Sequence, residues 1–534
     1  MSNEMIAAIR HRRSLMAVAA LAVLAVVAGC SGGTNTGTTN RVLVVDKSFD
    51  MKTADPQREF EVSGGIVAKA LYSTLLTFKG ADSATPVPWV ARSYTASSDA
   101  KTFTFKLRND IKFGDGTQLT SADVVFSFNR LINIKGNPSF LLAGVTVSAP
   151  DAQTVVLTSQ DPNPAIPFII PNPALGIVNS KVVKAHGGTD QPGADKADTA
   201  EAFLNSQSAG TGPYVLKSFS TTSEVDLAKN PNYWGPKPFY DTVVIRNIQA
   251  PAQLVNIQKG KDEIALDLSP DQASTLSGNN SVQVKAIPGP NVFFLFSNNN
   301  PKVSAITPNK HFQNAIRYGL DYDSFVQLAG AGAIQTPGVV PSMFLGALTQ
   351  GDAVKRDLTK AKAELAASGI KNPTVNLGFP SDFTLNGISF STLAQKVQAN
   401  LQEVGIKVNL TGSPISVSLA DYRAGKEQMG LWLWGPDYPD PNDYLVFLPG
   451  QLVGLRAGWA KGANPSLEAL GTQAGSTTDN TQRGQLFQQI QRQLNTDGPF
   501  FPLIQPGQVV ASSKGIAGAD YNPTWTIDVS GVSG

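Results

Sequence analysis

The sequence predicts a mixed α/β chain with at least two domains, and three observations carry that prediction. At 534 residues the chain is well past the roughly 250 to 300 residues at which one hydrophobic core stops growing. Short β-rich runs are interspersed with amphipathic helical segments along its length. No fixed period recurs, which sets aside a solenoid.

Taken in chain order, Arg10, Arg12 and Arg13 precede a run of small and apolar residues from Leu15 to Ala28, and the run ends in Val27-Ala28-Gly29-Cys30. This is the pattern of a signal peptide (residues 1–29) closing on a lipidation site at Cys30. Fourteen residues of helix reach about 21 Å, short of the roughly 30 Å hydrocarbon core, so a permanent span is not expected. The Arg12-Arg13 pair leaves export by either the general or the twin-arginine route open. Cys30 is the one cysteine, which excludes an internal disulfide and suits a thiol used as a lipid anchor. Ser31 to Asn40 is a polar, glycine-containing stretch that reads as a flexible tether, giving a segment 30–40 of lipidated Cys and linker. Of 43 basic and 41 acidic side chains, three arginines and one glutamate lie in residues 1–29, so the remainder is formally neutral. No basic run able to neutralise nucleic-acid phosphates occurs. The location expected is the cell envelope, on the outer face of the plasma membrane.

The body begins with a strand at Val42 to Val45 and an amphipathic helix expected over Gly64 to Phe78. Two β-rich runs, Val90 to Ala96 and Thr102 to Leu107, flank the Ser97-Ser98-Asp99 turn as a hairpin. Thr120 followed three residues later by Asp123 marks a helix start with capping-box spacing, ahead of Val124, Val125, Phe126 and Phe128. Thr211-Gly212-Pro213-Tyr214 opens a strand-rich portion that continues through Glu224 to Leu227 and Thr242 to Ile248. An apolar strand at Val292 to Phe296 precedes a helix around His311 to Gly319. Helices at Lys360 to Ala367 and Leu393 to Val404 precede strands at Lys407 to Leu410 and Gly430 to Trp434.

The stretch FKLRNDIKFGDGTQLTSADVVFSF, from Phe105 to Phe128, resembles the family 5 extracellular solute-binding proteins of ABC importers, the peptide and nickel binding group. GTGPYVLKSF (Gly210 to Phe219), NPNYWGPKPFYDTVVIR (Asn230 to Arg246), QNAIRYGLDYDSF (Gln313 to Phe325) and PDYPDPNDYL (Pro436 to Leu445) look like further landmarks in family order. The resemblance implies a two-lobed periplasmic-binding-protein-like fold with a hinge. Lobe I would comprise 41–65, 207–290 and 500–534, an inserted subdomain of lobe I 66–206, and lobe II 291–499. It also implies a monomer that captures an oligopeptide between its lobes and delivers it to ABC permease and ATPase subunits. The residues leave other solutes open, an oligosaccharide or a metal chelate, and a ligand-presenting sensor as well.

Specificity is expected at Gly430 to Asn442, where alternating large apolar residues read as a strand ended by Gly435-Pro436. That puts Asp437 in a loop beside Trp434 and Tyr438, a carboxylate against aromatic walls; Asp437, Asp440 and Asn442 read equally as Pro/Asp turn formers. In peptide-binding members the acidic residue at this position pairs with the ligand's α-ammonium, and the main chain matching Leu433 and Gly435 pairs with extended peptide. Dipeptide-specific relatives hold the ligand carboxylate with an arginine some fifty residues earlier, yet Leu377 to Asn386 contains no Arg or Lys. Arg456 is the candidate for that far end. Phe49 and Met51, around Asp50, match a ligand-contacting loop on the other wall.

No cofactor, metal site or catalytic residue is expected. Beyond the leader the histidines are His186 and His311, neither in a ligand-spacing motif. Ser98-Asp99-Ala100-Lys101 has the S-x-x-K spacing of Ser/Lys acyl-transfer enzymes, but it falls in a turn rather than at the start of a helix, and no G-x-S-x-G elbow occurs.

Overall fold

A computed structural model describes residues 40–534; the leader, Cys30 and all but the last residue of the tether lie outside the described residues. Two large sheets organise the body. The first has seven strands in the order Val282–Pro288, Gly507–Ser513, Glu263–Ala265, Val42–Lys47, Thr242–Asn247, Glu224–Lys229 and Tyr214–Phe219. Val42–Lys47 is parallel to both of its neighbours and therefore central, which explains why Leu43 and Val45 are fully buried. The second sheet has six strands, in the order Ile334–Gln335, Phe500–Gln505, Val292–Ser297, Met429–Trp434, Thr374–Pro380 and Lys407–Ser413.

Val292–Ser297 is buried at every position because both faces of its sheet are covered. Phe293 and Leu295 pack with Ile316, Val397 and Leu401 from the helices Lys310–Gly319 and Phe390–Val404. Phe294 and Phe296 enter a separate core with Trp432, Phe447 and Phe487. Continuous apolar sequence, rather than alternation, is what such a strand requires.

The smaller sheet Ala91–Ala96, Thr102–Leu107, Thr154–Ser159, Val145–Asp151 has its own core, in which Phe103, Phe105 and Leu157 pack on Val124, Phe128 and Leu131. Those last three belong to the helix Ser121–Ile134, whose N-terminus is the capping box expected: the backbone N–H of Thr120 donates to Asp123 at 2.9 Å. A fully buried Arg130 on this helix fastens the subdomain to the first lobe. It donates to Asp55 at 2.6 and 2.7 Å, to Asp198 at 2.7 and 2.8 Å, and to Gln57 at 2.8 Å.

Three boundaries differ from the sequence expectation. The helix expected over Gly64 to Phe78 is Val62–Leu71, because backbone acceptors beyond it are taken by distant partners. Gly212 donates to the Leu71 carbonyl, Ile177 to Ser73 and Trp89 to Leu75. Gly212 is required there, since a Cβ would stand 2.4 Å from the Leu71 carbonyl carbon. This helix packs through Ile66, Val67 and Leu71 on the first sheet's core, although the expected boundary at residue 66 assigns most of it to the inserted subdomain. Finally, Phe500–Gln505, placed with lobe I, is hydrogen-bonded to Val292–Ser297 in the second sheet. Its side chains are all buried there, and the chain passes to the first sheet only after Pro506.

The two sheets are joined by crossings that run side by side. Val282–Pro288 pairs with Gly507–Ser513 in the first sheet, and Val292–Ser297 with Phe500–Gln505 in the second. Between them the Gly289 N–H donates to the Pro506 carbonyl at 2.7 Å, and the Gln505 amide to the Gly289 carbonyl at 2.8 Å.

Candidate ligand cleft

A cleft of about 490 Å³ lies at these crossings. Its walls come from regions distant in sequence, among them Lys47 to Ala68, Leu266 to Leu268, the loop Thr384 to Gly387, the loop Gly435 to Pro439, the crossing segment Gly507 to Val509 and the C-terminal segment Tyr521 to Thr526.

Asp437 stands in this wall as expected. The strand Met429–Trp434 ends at Gly435-Pro436, and the loop that follows is held by Asp443, whose carboxylate accepts the Trp434 indole N–H at 3.0 Å and the Asp437 backbone N–H at 3.2 Å. The Asp437 carboxylate itself accepts no hydrogen bond from another described residue, and partial burial pushes its pKa up. Burial, reinforced by the neighbouring Asp437 charge, pushes Asp443 up to about 8. Asp440 is structural: it forms a buried ion pair with Arg483 and accepts the Asn442 N–H at 2.9 Å.

Tyr438 lines the cleft and packs on the inserted subdomain's core. Gly435 also lines the cleft, where an added Cβ would meet Asn291 Oδ1 at 2.6 Å. Trp434 and Leu433 are not among the lining residues. Trp434 turns into the second lobe's core against Phe447, with ring centroids 6.1 Å apart, and Leu433 packs on the opposite core. The backbone of their strand is paired along its length with Val292–Ser297, but with Thr374–Pro380 only at Met429 and Gly430.

Three expected positions move. Arg456 is not in the cleft wall; its guanidinium lies 4.8 Å above the Tyr422 ring. Met51 is buried in the first lobe's core and Phe49 packs against that core. Asp50 between them is the residue that reaches the wall, where its carboxylate accepts the Ser63 and Val62 N–H groups at 2.8 and 3.2 Å and so caps the helix Val62–Leu71.

Sequence reading missed the rest of the wall. Glu59, Glu61 and Asp267 join Asp50 and Asp437, against a single lysine, Lys47. Lys47 is ion-paired with Asp267, which also accepts the Gln253 amide at 2.8 Å. Glu59 accepts the Glu61 N–H at 2.7 Å, and burial, reinforced by Glu61, pushes it up to about 8. Burial alone would also raise Glu61, but hydrogen bonds from Glu59 and Lys52 outweigh it and hold Glu61 low. Of the five carboxylates, Asp437 alone is unclaimed among the described residues. Charged residues in loops carry no periodic signal, so nothing local marks these as wall residues.

Elsewhere, His311 pairs with Glu364 at 2.7 Å and His186 stacks on Phe203 at 3.7 Å between ring centroids. The Lys101 ammonium donates to the Gln160 carbonyl from an exposed turn. Among the described residues no group of three or more His, Cys, Asp or Glu could hold a metal ion, and no helix is long and apolar enough to cross a membrane.

The profile described as bacterial extracellular solute-binding proteins, family 5 Middle, matches residues 85–451. The probable D,D-dipeptide-binding periplasmic protein DdpA of Escherichia coli is 30% identical over 490 residues, covering 90% of this chain and 92% of that protein. Di/tripeptide-binding protein 2 of Pseudomonas aeruginosa is 25% identical over 491 residues, covering 87% and 89%. The structure of HbpA2 from Haemophilus parasuis superposes with a TM-score of 0.81 at 21% identity, covering 92% of this chain and 99% of that one. The chain thus belongs to the family 5 bacterial extracellular solute-binding proteins.

Proposed function

We propose that this protein captures short peptides in the cleft and delivers them to the permease of an ABC importer, anchored to the outer face of the plasma membrane through a lipid on Cys30. Binding, not catalysis, is its task. The observation that carries the peptide reading is the unclaimed carboxylate of Asp437. A half-buried carboxylate without a partner is costly to keep charged, and a ligand ammonium would repay that cost with a charge-assisted hydrogen bond. The strand leading to Asp437 has one edge unpaired beyond Gly430, as strand-wise pairing with a peptide requires. Names of the two relatives, D,D-dipeptide-binding and di/tripeptide-binding, agree with this ligand class.

The test is a double-mutant cycle by calorimetry, crossing Asp437→Asn with N-acetylation of the peptide. Asp437→Asn weakens binding of free-amine peptides by about 2 to 5 kcal/mol, the range for removing one partner of a buried charge pair, and acetylation removes that difference. Additive losses, or tight binding of acetylated peptides to the parent protein, would return Asp437 to the role of turn former.

A further inference from the structure

Lys47 ends the central strand of the first sheet, and its place there sets it apart from every other charge in the cleft. Val42–Lys47 runs parallel to Thr242–Asn247 on one side and to Glu263–Ala265 on the other. The helix Ala250–Lys259 carries the chain from the first of these neighbours to the second, so the strand order turns around Val42–Lys47. Open α/β sheets hold their ligands outside the carboxyl ends of the strands at such a reversal. Lys47 stands at that end, lines the cleft and keeps 13% of its side chain exposed.

The ammonium is held in place with donors to spare. Its one acceptor among the described residues is the Asp267 carboxylate, which leaves two of its three N–H groups for another partner. Asp267 does not depend on Lys47 alone: it accepts the Ser48 N–H at 2.6 Å and the Gln253 amide at 2.8 Å. Lys47 can therefore serve a second carboxylate without stranding the first. The other acidic or basic side chains of the wall, Asp50, Glu59, Glu61 and Asp437, are all carboxylic acids. Like charges set side by side are unfavourable, so a ligand carboxylate is disfavoured along the wall except beside Lys47.

We infer that Lys47 is the receptor for the ligand's terminal carboxylate, with Asp267 orienting the ammonium. The cleft then takes zwitterionic peptides, amine at Asp437 and carboxylate at Lys47. These two anchors stand on different lobes, so a ligand carrying both charges ties the lobes together. This deepens the peptide reading and rests on it.

The experiment offers the purified protein equal concentrations of three mixed-sequence tripeptide pools: free at both ends, amidated at the C-terminus, and acetylated at the N-terminus. Retained species are counted by native mass spectrometry, and melting midpoints without ligand show which variants are folded. The parent retains the free pool about tenfold over the amidated one. Two variants bring these pools level: Lys47→Met, which keeps the apolar stem, and Lys47→Met/Asp267→Asn, which also removes the carboxylate left behind. Asp267→Asn alone leaves Lys47 charged and preserves the preference for acids. Amides retained as well as acids by the parent, or a preference for acids that survives in either folded Lys47 variant, would overturn the carboxylate receptor while leaving Asp437 and the peptide reading standing. Acetylated peptides retained as well as free ones, with the preference for acids lost in the Lys47 variants, would do the reverse. Retention of none of the three pools by the parent overturns both.

Discussion

Asp437 and Asp443 are joined by a hydrogen bond from the backbone N–H of Asp437 to the Asp443 carboxylate, and burial, with the Asp437 charge beside it, raises the cost of ionising Asp443. Asp443 titrates at about 8 in the folded protein against an ordinary 3.8, and Glu59 at about 8 against 4.5. Both folded values lie above the unfolded ones, so the folded state binds extra protons in between. The stability this contributes is complete below the unfolded values and is lost as pH rises toward about 8. Scanning calorimetry of the ligand-free protein should show a midpoint that falls between pH ~5 and ~8. Asp443→Asn keeps an acceptor oxygen for Trp434 and for the Asp437 N–H but cannot ionise, so it should flatten part of that slope. Asp443→Ala strands both donors and costs about 1 to 3 kcal/mol. Binding of an ammonium should also expel a proton from the pair near neutral pH, visible as a binding enthalpy that changes with the ionisation enthalpy of the buffer.

Among the elements, the helix Ser121–Ile134 bears most on how the lobe holds together. One side packs on the small sheet through Val124, Phe128 and Leu131, and Arg130 reaches Asp55 in the first lobe's loop and Asp198 beyond the insertion's core. Five hydrogen bonds satisfy this buried guanidinium, and both carboxylates also pair with Arg58, at 3.4 and 3.2 Å. Arg130→Met fills much of the same volume but leaves two buried carboxylates to share Arg58 alone, and should cost about 3 kcal/mol, the low end of the range for breaking a buried pair. Denaturant unfolding measures it; a loss under about 1 kcal/mol would mean that the carboxylates find other partners or take up protons cheaply.

At the scale of the molecule, two antiparallel crossings hydrogen-bonded to one another leave the lobes a single axis about which to move. A ligand held between Asp437 on one lobe and the first lobe's wall has contacts with both, and should favour the closed arrangement. Small-angle scattering should show a smaller radius of gyration with bound ligand, and the melting midpoint should rise in line with the ~2.7 kcal/mol gained at a hundredfold excess over Kd. An unchanged radius, with binding confirmed calorimetrically, would argue against hinge closure. The anchor is tested separately. Cys30→Ala should release the protein from the membrane fraction without altering ligand affinity, since each buried CH₂ of a lipid chain contributes about 0.8 kcal/mol to partitioning.

Much of this protein is decided locally, and that part was readable in the sequence. The uninterrupted apolar run at Val292–Ser297, the Thr120/Asp123 capping box, the Ser97 to Asp99 turn and the Gly435-Pro436 stop before Asp437 each follow from neighbouring residues alone. Element type and the position of Asp437 were therefore accessible, as were the landmarks of the family. What only the tertiary structure decided is where chains far apart in sequence meet. The helix beginning at Val62 stops at Leu71 because Gly212, some 140 residues on, takes its carbonyl; Asp50 rather than Phe49 or Met51 faces the cleft because the helix it caps fixes the loop's rotation. Arg456 turns onto Tyr422 rather than toward the ligand, and Trp525 reaches the cleft from the chain's far end. Hydrophobic periodicity reports which side of an element is buried, but the partner that buries it, and the polar groups left without one, are properties of the assembled cleft.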